Sequence, residues 1–180
     1  MLDAPATLFA WSVPFAVRSV TVDPHSYVLH WTRATANDYR ALAPAKRANM
    51  LEQVGRTAEA LVAFTAGLDS VPANDTHGLR YLLEYGLGWM HLNAGRWDEA
   101  KTHMQSALAS PSLPATNGSA CRAPGGNCAV PWGYYVLAKA AQQLGDSALL
   151  CQAVSRAVAA DTASRWGAGQ QARALGPRCR

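Results

Sequence analysis

Hydrophobic residues change their pattern near residue 35. Before that point they fall in three short runs rich in β-branched and aromatic residues, Thr7–Val13, Ala16–Val22 and Tyr27–Trp31. Pro14 and the sequence Asp23-Pro24-His25-Ser26 separate the runs with turn chemistry, so residues 1–35 are expected to form short antiparallel strands. Three short strands bury only one face, and no other strand-rich segment follows to cover the second. The segment reads as the edge of something larger.

From about residue 40 the apolar positions take a helical spacing and recur. In the first unit Gly55-Arg56-Thr57 is followed by Ala60, Phe64, Gly67-Leu68 and Pro72; in the second Gly95-Arg96-Trp97 by Ala100, Met104, Ala107-Leu108 and Pro111; in the third Gly145-Asp146-Ser147 by Leu150, Val154 and Ala157-Val158. An apolar helix precedes each, carrying Ala48 and Leu51, then Leu87-Gly88, then Leu137-Ala138 and Ala141. These are the parts of a helical hairpin. A small residue admits the second helix, the glycine supplies a left-handed turn, and Phe64, Met104 or Val154 fills the groove. The pattern resembles the tetratricopeptide repeat (TPR), with the second unit in register at Leu87, Gly88, Gly95, Trp97, Ala100, Ala107 and Leu108. The third departs at Leu150, where the family has Ala, and lacks the closing Pro. The resemblance covers residues 41–164 and implies a mainly α fold, a TPR-like solenoid of about three helical hairpins preceded by the short antiparallel β segment. Residues 165–180, weakened by Gly167 and Gly169, are expected to supply a capping helix and a tail.

The turn glycines lie forty and then fifty residues apart, against a TPR period of about 34, so the linkers carry insertions. The longer one, residues 111–131, holds four prolines, Asn117-Gly118 and Gly125-Gly126, and is expected to be a long surface loop. It also contains Cys121 and Cys128, whose spacing leaves open free thiols, a small looped disulfide and a metal site short of two ligands. Cys151, in an apolar helical stretch, is expected to be a core residue. Asn74-Asp75-Thr76 and Asn117-Gly118-Ser119 match the N-glycosylation acceptor pattern, which is short enough to arise by chance.

With 49% of its 180 residues hydrophobic, the chain has enough apolar surface for one globular core. No apolar run reaches the ~18 residues of a bilayer span, and no basic residue precedes Arg18, so neither membrane insertion nor an intact signal peptide is expected. The formal charge of +4 is scattered without a Lys/Arg block, which argues against nucleic-acid binding. His25, His30, His77, His91 and His103 form no H-E-x-x-H, and there is no phosphate loop or G-x-S-x-G elbow. We therefore expect no catalytic residues, no cofactor and no metal. His91, between Met90 and Leu92, is expected to pack as a repeat residue.

Val17–Pro24 followed by Val28-Leu29-His30-Trp31 ahead of a helical array resembles the carboxy-terminal portion of bacterial zinc metallopeptidases related to aminopeptidase N. The match covers residues 8–31 and the order of domains. It implies that residues 1–35 are the remnant of a β-sandwich and that the catalytic domain is absent, so no catalytic residue transfers to this chain. The expected function is a non-catalytic protein–protein interaction or scaffold module. A protein or peptide would lie in a concave groove formed by Tyr85, Trp89, Trp132 and Tyr135, with Asn49, Asn93 and Lys139 around it. The alternative is an accessory region of a metallopeptidase whose catalytic domain is its partner on another chain. A redox enzyme using Cys121 and Cys128 ranks last, because the pair lacks the helix amino terminus that activates C-x-x-C. The sequence does not fix the compartment: it leans to the cytoplasm, or to the periplasm if a full-length parent is exported.

Overall fold

Gly55, Gly95 and Gly145 adopt φ values of 77°, 71° and 72°, the left-handed conformation that side chains resist. In the computed structural model, which describes residues 40–110, 129–161 and 167–179, each closes one helix and releases the chain into the next. They join α1 (Ala43–Gln53) to α2 (Thr57–Asp69), α3 (Leu79–Asn93) to α4 (Trp97–Leu108), and α5 (Ala129–Leu144) to α6 (Ser147–Ala160). One backbone bond recurs at all three turns: the amides of Arg56, Arg96 and Asp146 donate to the carbonyls of Leu51, His91 and Ala141 at 2.9 Å. This closure satisfies carbonyls that the helix end would leave open. The glycine turns lie where the sequence places them.

Helix starts are equally local. Pro44 and Pro131 sit in first turns, where a missing N–H costs no bond. The Asp75 carboxylate accepts from the amides of Leu79 and Arg80 at 3.0 and 2.9 Å and so caps α3, and Asp146 accepts from Leu149 at 2.9 Å at the start of α6. The last helix, α7 (Ala168–Leu175), begins after Gly167 at φ 72°, and its Gly169 amide donates to the buried Asp161 at 3.0 Å. Helix α5 starts at Ala129, inside the stretch read as loop.

Within each hairpin the expected groove-filling residue is buried: Phe64, Met104 and Val154. Ala60 and Ala100 are buried with them, whereas Leu150, too large for that position, stays half-buried. A Cβ on Gly88 would come within 2.5 Å of Met104 Cε and 3.3 Å of the Ala100 carbonyl, so the glycine permits α3 and α4 to approach. Successive helices touch, and each first helix also touches the next first helix: α1 with α3, α3 with α5, α5 with α7. Among the described residues helices are the regular elements, and there are no strands.

The C-terminal end is fastened. The Gln142 side-chain amide donates to the Leu175 carbonyl at 2.9 Å, and Cys151 is disulfide-bonded to Cys179 across a Cα–Cα distance of 4.9 Å. This corrects the reading of Cys151 as a core residue: it is half-buried, and α7 brings the tail back over α6 to meet it. The expected β segment, the glycosylation pattern at Asn117, and Cys121 and Cys128 lie outside the described residues.

Candidate functional site

Overlaying the hairpins by their turn glycines sorts most of the expected groove residues into columns along the first helices. Ala45, Tyr85 and Tyr135 form one, and Asn49, Trp89 and Lys139 a second. The structure brings the aromatics together in two pairs. On α3 the rings of Tyr85 and Trp89 stack with centroids 6.4 Å apart, and Tyr81 continues the stack 6.0 Å from Tyr85. On α5, Trp132 and Tyr135 meet edge to face at 5.4 Å. All four are half-buried; Tyr85, Trp89 and Tyr135 spend part of their surface on the core beneath. Burial pushes the Tyr85 phenol up to about 12, so it remains a neutral donor. Lys139 is half-buried, Asn49 is exposed within α1, and Asn93 is exposed at the end of α3. The rings thus form one pair on each of two helices, and no ring contact is seen between the two pairs among the described residues.

A second constellation, between α3 and α4, escaped the sequence reading. The buried Glu84 carboxylate is bonded to His103 Nδ1 at 2.7 Å and accepts from the Ser106 hydroxyl at 2.9 Å. The His103 ring stacks on His91 at 5.1 Å, and His91 Nδ1 accepts from Arg96 Nε at 2.8 Å. Burial works to raise the Glu84 pKa, but the bonds from His103 and Ser106, with the charges of His103 and Arg80, outweigh it and hold the carboxyl below its ordinary value. His91 is shifted down by burial first and then by the charges of Arg96 and His103, against the pull of Glu99. The serine hydroxyl donates to the carboxylate and not to an imidazole, so the geometry is that of a clip between two helices rather than of an activated nucleophile. Among the described residues no group of three His, Cys, Asp or Glu side chains could hold a metal ion, and no helix is long and apolar enough to cross a membrane.

His91 is half-buried and stacks on His103 of α4. The signal that could have found the clip is register: Glu84, His103 and Ser106 stand where the first hairpin has Pro44, Ala63 and Ala66. Comparison with protein-family models, with curated proteins and with solved structures finds no match to the chain.

Proposed function

We propose that the chain is a non-catalytic, TPR-like interaction or scaffold module that holds a protein or peptide segment against the wall made by its first helices. The observation that carries this reading is the pairing of rings on two first helices in contact, Tyr85 with Trp89 and Trp132 with Tyr135. Half-buried aromatics already fixed by their neighbours lose little entropy when a ligand covers them, which is the composition of binding hot spots. Lys139 adds one cation at the rim, and no array of lysines directs the site toward a charged carboxy terminus. The metallopeptidase-like stretch, residues 8–31, lies outside the described residues.

The test is recovery of partners by the wild-type chain and by Trp89→Ala/Tyr135→Ala. Two hot-spot rings at about 2 kcal/mol each should reduce recovery more than tenfold, with the helical circular dichroism retained. Equal recovery by a variant of unchanged helicity would refute the wall as the binding surface.

A further inference from the structure

Counted from each turn glycine, the three positions that hold the clip in the second hairpin, Glu84, His103 and Ser106, fall on Pro44, Ala63 and Ala66 in the first and on Tyr134, Ala153 and Arg156 in the third. They border the same space between paired helices. Pro44, Ala63 and Ala66 all line a groove of about 850 Å³, and Tyr134, Ala153 and Arg156 all line a depression of about 270 Å³. In the second hairpin a carboxylate takes this space: Glu84 is buried there, 2.7 Å from His103 Nδ1 and accepting from the Ser106 hydroxyl at 2.9 Å. The third hairpin has no carboxylate at these positions and places the guanidinium of Arg156 where the serine stands. Among the described residues Arg156 has no ion-pair partner.

We propose that the depression of the third hairpin binds a small monocarboxylic acid with an apolar body, whose carboxylate takes there the place that Glu84 takes in the second hairpin. Arg156 offers the paired N–H groups that match the two oxygens of a carboxylate. The Tyr134 hydroxyl and the Gln152 side-chain amide are further donors on the same lining. Leu108, Leu137 and Leu149 make the rest of it apolar, and Ala153, in place of the imidazole of His103, leaves room for the body of the ligand. One cation beside an apolar lining selects a monoanion with a hydrocarbon body over a phosphate or a dicarboxylate. The volume lies just under the range of about 300–1,000 Å³ usual for ligand pockets, so the acid is a small one. Leu108 belongs to α4, so the site is complete only when the third hairpin is stacked on the second. None of Tyr85, Trp89, Trp132, Tyr135 and Lys139 lines it, and the inference is therefore independent of the aromatic wall.

The experiment titrates the isotope-labelled full chain with phenylpropionate at neutral pH, and separately with its neutral amide, phenylpropanamide, following backbone amide shifts by NMR. The expected result is saturable shifts centred on Leu108, Ala153 and Arg156, with a Kd on the order of 1 mM for an acid of this size. The amide should bind about tenfold more weakly or worse, since it cannot form the charged pair. Arg156→Gln, at an exposed position, should weaken the acid about tenfold with helical circular dichroism unchanged, whereas Trp89→Ala/Tyr135→Ala should bind it as the wild type does. No saturable shift at about ten times that Kd, equal affinity for acid and amide, acid binding indifferent to Arg156→Gln, or shifts centred on Trp89 and Tyr135 would each overturn the proposal. The comparison of acid with amide uses only the wild-type chain and needs no variant to fold.

Discussion

Gly86→Ala should destabilise the protein although it improves the helix that carries it. Alanine is favoured over glycine in a helix interior by about 1 kcal/mol. Against this, a Cβ at position 86 would overlap Cε1 and Cζ of Phe64 and approach its Cδ1 to 2.8 Å. Phe64 is buried on all sides, and its ring cannot bend at the tip. The contrast with Gly88 is instructive, because there the nearest atom is the terminal methyl of the flexible Met104. Either the ring leaves its rotamer, at about 0.5–1.5 kcal/mol, or α3 backs away from α2 with an overpacking cost of about 1–3 kcal/mol. After the gain in helix propensity, an overpacking cost near the upper end of that range leaves a net loss of up to about 2 kcal/mol, which lowers the melting temperature by up to roughly 4–8 °C in a chain of this size. Urea unfolding followed by circular dichroism measures it, with Phe64→Leu and the double variant completing a cycle. Shortening the ring should relieve the clash, so the two substitutions should couple by at least about 1 kcal/mol. A Gly86→Ala protein as stable as the wild type, or strictly additive effects, would refute the packing argument.

Cys151→Ser/Cys179→Ser should lower stability by about 3–4 kcal/mol, the loop-closure value for a separation of 28 residues; an unchanged urea midpoint would show that the tail is held by other contacts. Stability should fall on acidification. His91 has a lowered pKa, so the unfolded state takes up its proton first and stability begins to drop below the ordinary value of 6.5; Glu84 and Asp75, also lowered, continue the loss as pH falls through the carboxylate range. A flat melting temperature from pH 7 to pH 4 would contradict this sign. Tyr81→Phe should be neutral or stabilising by up to about 1 kcal/mol, since the buried Tyr81 hydroxyl has no hydrogen-bond partner to lose; a clear loss of stability in thermal melts would indicate that the hydroxyl is satisfied.

What was legible in the sequence is what is decided locally. The turns at Gly55, Gly95 and Gly145 were readable because a left-handed residue must be named by its own chemistry, and Phe64, Met104 and Val154 because their distance from the turn fixes the face they occupy. The contact of Gly86 with Phe64 was not readable, since it joins two hairpins and is no part of the pattern inside either. The same holds for Cys151 with Cys179, which meet only after α7 folds back. Glu84, His103 and Ser106 are separated by 19 and 22 residues and each looks like an ordinary surface polar residue on its own helix. Of the expected site, the ring pairs come together because their members lie three or four residues apart on a helix, a relation the sequence contains in full.

The three hairpins treat one position differently, and the difference bears on the wall. Where the first has Pro44, Ala63 and Ala66 and the third has Tyr134, Ala153 and Arg156, the second places a buried carboxylate with its two partners. Desolvating Glu84 is costly, and the bonds from His103 and Ser106 offset that cost only if α3 and α4 keep one rotation relative to each other. Sliding either helix would strand the carboxylate. An apolar filling of the same space tolerates small shifts, whereas this one fixes the angle of α3 about its own axis. Tyr85 follows Glu84 directly in the chain, and Trp89 lies one turn beyond, so the rotation that satisfies the carboxylate also sets the direction in which the aromatic pair points. The clip and the wall are two sides of one helix. Protonation that loosens the first should therefore loosen the second, and partner binding through the wall should weaken over the same acid range in which the fold loses stability.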